Sequence, residues 1–232
     1  MVAGAAARQG TLVLIARALR HVLVEAEEAG LTPPTLRRTD YRGRRKPAID
    51  WAQEAARHAL LQDLVADAAT LTAWAGQAAH PEAVRQAGAV LATVATQDVT
   101  TDPDGTVHIA QQVAADRVLS VTDPEMRHGR KSSSQKFDGY KAHVTAQPGT
   151  AGRPRLVTGV QVTPGNVPDG DATVAAIQER AALTGTPPMT LMGDTAYGRM
   201  PTRTAVAAAA PTLRAPSEAG RCQPVKFRPP KG

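Results

Sequence analysis

With 232 residues, 42% of them hydrophobic, the chain is long enough for one large domain or a compact domain with an insertion. Lys and Arg outnumber Asp and Glu by 27 to 21, and the resulting net charge of +6 favours polyanionic partners such as nucleic acid. The single cysteine excludes an internal disulfide framework and a cysteine-based zinc site. Because no apolar run approaches the roughly 20 residues of a membrane span and no signal-peptide pattern is present, we expect a cytoplasmic protein without membrane contact.

Three amphipathic helices are predicted in the first part of the chain. Apolar residues recur at helical spacing over Thr11–Ala29, and Gly30 supplies a stop signal. A second helix is expected over about Asp50–Gly76, with Asp50 suited to cap its N-terminus. A third occupies Pro81–Val94, because proline is favourable in a first helical turn. The first 97 residues are therefore predicted to form an all-α unit.

After the third helix the pattern changes to short strands. The turn sequence Asp102-Pro103-Asp104-Gly105 predicts a hairpin within Val99–Ile109. A further short strand is expected at Val118–Val121. Apolar and polar residues then alternate over Phe137–Gln147, and the next strand is expected over Leu156–Val162.

The chain then alternates between helix and strand. Asp169 or Asp171 can cap a helix that runs to about Leu183. A short apolar strand follows at Thr190–Met192, and a further helix occupies Met200–Pro211, where the proline ends it. This order predicts a mixed α/β fold, with helices packed on a mixed sheet.

Positive charge is concentrated at two places in the sequence. The segment Arg37–Lys46 has six positive charges against one negative charge. The tail Arg221–Gly232 has four positive charges and no acidic residue. Both are suited to contact with phosphate groups.

A basic, hydroxyl-rich segment over Asp123–Ser134 is a further candidate for phosphate contact. A solvated, flexible loop explains its composition equally well. His128 and His143 have no ligand partner at a fixed spacing, so we interpret both as residues that do not bind metal. The sequence contains no glycine-rich nucleotide loop, no Gly-x-Ser-x-Gly elbow and no His-Glu-x-x-His helix.

Asp194 is the candidate catalytic residue. It follows the predicted strand Thr190–Met192 after Gly193, a position from which side chains reach the crevice at the end of a sheet. A carboxylate there can bind a divalent metal ion, and two ions about 4 Å apart support phosphoryl transfer. An aspartate after a short strand is more commonly a turn or helix-capping residue, so its position alone leaves both interpretations open.

Five segments carry a family resemblance through their order and spacing, although each is unspecific alone. Together they resemble the DDE transposases of bacterial insertion sequences, in the group whose RNase H-like catalytic domain is interrupted by a helical insertion. The resemblance extends over nearly the whole chain up to about Ser217. The segments are Tyr41–Trp51, Asp123–Ser132, Phe137–His143, Val162–Asn166 and Gly193–Gly198.

The resemblance implies an incomplete RNase H-like sheet. In that sheet Phe137–Gln147 and Leu156–Val162 are the second and third strands, and Thr190–Met192 is the fourth. The implied division of the chain is a helical insertion over 1–97, a partial catalytic domain over 98–217 and a basic, disordered tail over 218–232.

The resemblance also implies a chemistry. Asp194 would be the second acid of the DDE triad and a ligand of Mg²⁺ or Mn²⁺, the ions with which the complete family enzyme cuts DNA and joins its ends in transposition. Transposon-end DNA and target DNA are the expected partners, with a homo-oligomer as a further expectation. The residues expected to contact DNA are Arg127, His128, Arg130, Lys131, Lys136, Tyr140 and Lys141.

Two acids of the triad have no counterpart in this sequence. The first Asp should lie on a strand just upstream of the helical connection, yet no acidic residue precedes Glu25. The third acid should lie on a later helix, whereas Glu218 is in a loop-like segment. We therefore expect a chain truncated at both ends with little or no strand-transfer activity, because Mg²⁺ needs several hard ligands. The alternatives are a non-catalytic DNA-binding or transposase-dimerising remnant and a product that does not fold stably, since loss of a central strand exposes its neighbour.

Overall fold

A computed structural model gives the fold and describes residues 2–43, 46–112, 114, 116–132, 134–152, 154–208 and 212–214. These residues form a mixed α/β structure with five α-helices and small sheets. The chain divides into two compact units, Met1–Arg127 and His128–Gly232. In the described part of the chain, no helix is long and apolar enough to cross a membrane.

The first unit contains three α-helices and a two-stranded antiparallel hairpin. The first helix ends where Gly30 adopts a positive φ of 68° and the Leu31 N–H donates to the Ala26 carbonyl, which is a typical glycine termination. The bounds are α1 (Val2–Glu28), α2 (Glu54–Ala75), α3 (Glu82–Thr96), β1 (Val99–Thr101) and β2 (Val107–Ile109).

The three helices bury one shared apolar core. Its centre includes Ile15 and Leu19 of α1, Leu64 of α2 and Leu91 of α3, all with no exposed surface. The helical spacing of these residues is the pattern that predicted the helices, so all three helix predictions are confirmed. Asp50, however, does not cap α2; its carboxylate accepts the Ala52 N–H at 3.0 Å, in the turn before the helix.

The first unit extends beyond the helices because the segment after them joins the same core. Val107, Val118 and Val121 are buried against the helices. The predicted strand at Val118–Val121 is wrong. The Val118 N–H and carbonyl are bonded instead to the side-chain amide of Gln97, at 2.8 and 3.1 Å, which replaces a strand partner.

The second unit contains two small sheets and two α-helices. The strands near Phe137, Leu156 and Thr190 and the helices near Asp171 and Met200 lie at their predicted places, whereas β3 and β7 were not predicted. The predicted tail over 218–232 lies outside the described residues. The bounds are β3 (Arg127–Arg130), which begins at the boundary, β4 (Lys136–Gln147), β5 (Leu156–Pro164), α4 (Ala172–Thr184), β6 (Thr190–Met192), α5 (Met200–Ala208) and β7 (Thr212–Arg214).

One sheet has the order β3-β4-β5, and the other pairs β6 with β7 in parallel. β4 and β5 are antiparallel, from the pair Tyr140 and Pro164 to the pair Gln147 and Leu156. Successive side chains of a strand alternate between the two faces of the sheet. The face that carries His143 contacts α4, whose Glu179 carboxylate reaches Gly159 of β5. We name this the helix-covered face and the opposite one the apolar face.

Candidate functional site

Asp194 lies at the carboxyl end of β6, after Gly193, with its side chain exposed. A short 3-10 turn, Thr195–Gly198, follows it directly. The Tyr197 N–H donates to the Asp194 carbonyl at 3.2 Å, which folds the turn back over the strand end. A Cβ atom on Gly193 would lie only 3.0 Å from that of Tyr197, so the glycine permits this close approach.

The Tyr197 side chain connects this turn to the neighbouring sheet. Its hydroxyl shares a hydrogen bond of 3.0 Å with Nδ1 of His143 on β4. The other imidazole nitrogen shares a second bond of 3.0 Å with the Thr163 hydroxyl on β5. His143 is buried, and its ring meets that of Tyr197 edge-on. Both imidazole nitrogens are thus occupied within the fold.

Two carboxylates lie near the phenol. Burial raises the pKa of Tyr197 above its ordinary value, and the negative charges of Asp169 and Asp194 raise it further. Asp169 is itself paired with the Lys141 ammonium at 2.8 Å, which also donates to the Val167 carbonyl at 2.8 Å. We refer to Lys141, His143, Asp169, Asp194 and Tyr197 as the Tyr197 cluster.

The described residues of this cluster do not fit a magnesium site. No group of three or more His, Cys, Asp or Glu side chains that could hold a metal ion occurs in the described part of the chain. Asp169 is neutralised by Lys141, and His143 uses both nitrogens for hydrogen bonds. Mg²⁺ requires several oxygen ligands in a near-octahedral arrangement. The carboxylate of Asp194 alone is therefore not enough to hold the ion. Glu218 lies outside the described residues, and the role of Asp194 as a triad acid stays a prediction.

Apart from His128, four of the predicted DNA contacts present exposed side chains. They are Arg130 at the end of β3, Lys131 in the turn that follows, and Lys136 and Tyr140 on β4. The turn is closed by a hydrogen bond of 2.9 Å from the Lys131 N–H to the Gln135 carbonyl. The three cations therefore lie close together around one hairpin turn, an arrangement suited to a phosphate backbone.

The other three predicted contacts have acidic partners. The Arg127 guanidinium donates to Asp116 at 2.7 Å and to the Pro124 and Met126 carbonyls. Nδ1 of His128 lies 2.6 Å from the Asp138 carboxylate, in a pair that is about half exposed. Lys141 points to the helix-covered face, where it binds Asp169. These partners lie 10 to 28 residues away in the sequence, so no local pattern indicated them.

A groove of about 570 Å³ lies beside the Tyr197 cluster. One wall is formed by residues 143–148 at the end of β4, and the opposite wall by residues 188–193 around β6. Side chains of α4, from Ala172 to Arg180, also line it. The groove is thus lined by residues of both sheets and of α4. Comparisons of the chain with protein-family models, with curated proteins and with solved structures give no match.

Proposed function

We propose that this chain is an incomplete DDE transposase of the RNase H-like type, which binds DNA without catalysing strand transfer. The observation that carries the proposal is the element order of the second unit. An antiparallel pair, β4 and β5, is followed by α4 and then by the parallel pair β6 and β7, with Asp194 directly after β6. In the family that the sequence resembles, the second triad acid follows the fourth strand of such a sheet.

The groove between β4 and β6 supports the same interpretation. The resemblance gives β4 the place of the second strand and implies a central first strand beside it. β5 covers one edge of β4 from Tyr140 to Gln147. β3 has four residues and is joined to β4 by a tight turn, so it reaches only the start of the other edge. Within the described residues, no strand lies along the rest of that edge, which borders the groove.

The surroundings of Asp194 support the absence of strand transfer. Two-metal phosphoryl transfer needs several carboxylates that hold two ions close together. Asp169, the other carboxylate whose charge acts on the Tyr197 phenol, is paired with the Lys141 ammonium at 2.8 Å. The DNA-binding part of the proposal depends on other residues, namely the exposed cations around the turn at Lys131–Gln135.

The proposal is tested with the purified full chain in two assays. Fluorescence anisotropy with a short labelled duplex should give binding whose logarithmic affinity falls with salt by roughly 0.9 per phosphate contacted. Asp194→Ala should leave this affinity unchanged. Incubation with supercoiled plasmid and Mg²⁺ or Mn²⁺ should produce no nicked product above the level of the Asp194→Ala variant.

Each assay tests a different part of the proposal. Nicking that requires Mg²⁺ and disappears in Asp194→Ala would overturn the absence of catalysis. Absent or salt-independent binding would overturn the DNA-binding function. A control variant with Lys141→Ala should retain the salt dependence, because that ammonium is already paired with Asp169.

A further inference from the structure

The apolar face of the β4–β5 sheet is open to solvent. Four valines on these strands, Val144, Val157, Val160 and Val162, are 55–64% exposed, and Tyr140 is 39% exposed. Isolated apolar side chains at a surface are ordinary, whereas a contiguous group indicates an interaction surface.

The register of the strands places these side chains on one face. Val144 is opposite Val160, and Ala142 is opposite Val162. After the bulge between Thr145 and Ala146, Ala146 is opposite Val157. Residues that are directly opposite in an antiparallel pair point to the same face. The valines and alanines therefore form one continuous strip along the hairpin.

The exposed valines do not lie on the face that α4 covers. α4 packs against that other face, where Lys141 and His143 make their hydrogen bonds. The apolar face from Tyr140 to Ala146 on β4, and its partners from Val157 to Pro164 on β5, contain no charged side chain. Every Lys, Arg, His, Asp and Glu side chain of this part of the sheet is thus on the opposite side or beyond the ends of the strip.

We propose that the apolar face is the contact between two copies of this chain, packed sheet against sheet. A face without charges is complementary to itself, because two copies can meet without burying an unpaired ion. In a two-fold dimer each copy presents the same surface to the other. Packed sheets lie about 10 Å apart with strands within about 30° of each other, so the valine side chains of the two copies interdigitate. This inference is independent of the proposed function.

The size of the strip sets the strength of the dimer. Its side chains expose on the order of 500 Å² per copy, at the upper end of the patches found on monomeric proteins. Two such faces bury about 1,000 Å² together, which is the lower limit for a specific interface. We therefore expect a reversible, concentration-dependent dimer rather than a permanent one.

The chain's own residues 215–232 are the competing occupant of this face. Their sequence has four cationic side chains and four prolines, and its larger apolar side chains are Cys222, Val225 and Phe227. Proline and charge are both poorly suited to cover a strip of valines, because proline interrupts strand pairing and a buried charge needs a partner. A second copy offers a better match.

Sedimentation velocity over a range of concentrations tests the dimer. The full chain should shift from monomer to dimer as its concentration rises. The double variant Val144→Glu/Val162→Glu should need at least a tenfold higher concentration to form the same fraction of dimer. Leu183→Glu is the matched control, since Leu183 is 69% exposed on α4 and lies outside the strip; it should dimerise like the unchanged chain. Circular dichroism of all three proteins checks that they are folded.

Each other outcome overturns the proposal. A full chain that stays monomeric at every concentration contradicts it, as does dimerisation that is unchanged in the folded Val144→Glu/Val162→Glu variant. A stop codon after Arg214 tests the competing occupant. Dimers that form only after this deletion would assign the face to residues 215–232, whereas unchanged dimerisation is the result that we expect.

Discussion

Nδ1 of His143 and the hydroxyl of Tyr197 lie 3.0 Å apart and join β4 to the turn that follows β6. Since Thr163 occupies the other imidazole nitrogen, the hydrogen bonds connect three segments that are distant in sequence. Asp194 precedes Tyr197 in the same turn, and the Asp194 carbonyl accepts the Tyr197 N–H. The position of Asp194 therefore depends on a hydrogen-bonded joint between the two sheets of the second unit.

Replacement of Tyr197 by Phe should weaken the hydrogen-bonded connection between β4 and the turn after β6. The substitution removes the hydroxyl and leaves buried His143 with one unfilled nitrogen, so the free energy of unfolding should fall by about 1–2 kcal/mol. Urea denaturation measures the change, and hydrogen exchange should show faster exchange at β4 and β6. Any DNA affinity should stay the same, because Tyr197 contacts β4 at His143, seven residues along the strand from Lys136 at the hairpin turn. An unchanged stability would mean that the hydrogen bond makes no net contribution.

A second buried tyrosine, Tyr41, allows a prediction of how the free energy of unfolding changes at alkaline pH. Tyr41 is buried, and its hydroxyl donates to the Asp67 carboxylate at 2.6 Å. Burial, followed by the bond to Asp67 and its charge, raises the pKa of Tyr41 far above the ordinary value. The unfolded chain releases this proton near pH 10, whereas the folded chain retains it. The stabilisation is therefore complete below about pH 10 and is lost progressively as the pH rises above that value.

Tyr41→Phe should remove most of this alkaline loss. Urea denaturation at a series of pH values on both sides of about 10 measures how steeply the free energy of unfolding falls with pH. A weaker slope should persist in the variant, because the pKa of Tyr197 is also raised, chiefly by burial. If the slopes of the two proteins coincide, Tyr41 ionises as readily in the folded chain as in the unfolded chain.

Asp67 should be among the most sensitive positions of the first unit. Its buried carboxylate accepts the backbone N–H groups of Arg37 and Arg38 at 2.7 and 3.2 Å, in addition to the Tyr41 hydroxyl. Asp67→Ala leaves three donors without this acceptor and should cost about 3 kcal/mol or more. Asp63→Ala is the control, since Asp63 meets the same two arginines only at 3.9 and 3.8 Å near the surface. It should cost less than about 1 kcal/mol, and equal effects would contradict the role of the buried network.

The helices and the longer strands were predictable because their signals are local. Leu64 and Leu71 lie about two helical turns apart on the same side of α2, and both are fully buried. The alternation over Phe137–Gln147 likewise gives a strand whose exposed and covered residues alternate. Periodicity identifies the element in both cases, but on β4 the apolar side chains such as Val144 are the exposed ones, so the pattern does not show which face of the strand is covered.

Long-range pairing was not predictable, and it changes the interpretation of the basic segment Arg37–Lys46. Arg38 is paired with Asp40, and Arg42 with Glu27 on α1. Residues 44 and 45 of the segment lie outside the described residues. A count of charges along the sequence cannot show which are compensated, because the partner of Arg42 comes from another helix. For the same reason the partners of Val118 and Lys141, Gln97 and Asp169, have no local signal.

A comparison of the cations at the hairpin turn with cations that are paired with glutamate gives the sharpest test of the proposed DNA surface. Arg130 and Lys131 are exposed at the hairpin turn, whereas Arg42 and Arg85 each face a glutamate. If the first two each neutralise one phosphate, Arg130→Ala/Lys131→Ala should lower the slope of log affinity against log salt by about 1.8. Anisotropy with a labelled duplex at several salt concentrations measures the slope.

A matched double variant separates local contact from net charge. Arg42→Ala/Arg85→Ala removes the same two positive charges from the chain, yet it should leave the slope nearly unchanged, because these side chains are paired with Glu27 and Glu82. Equal losses in the two double variants would show that DNA responds only to the total charge, and the hairpin turn would then not be the contact surface. A loss confined to Arg130→Ala/Lys131→Ala places the phosphate backbone against β3 and the turn that follows it.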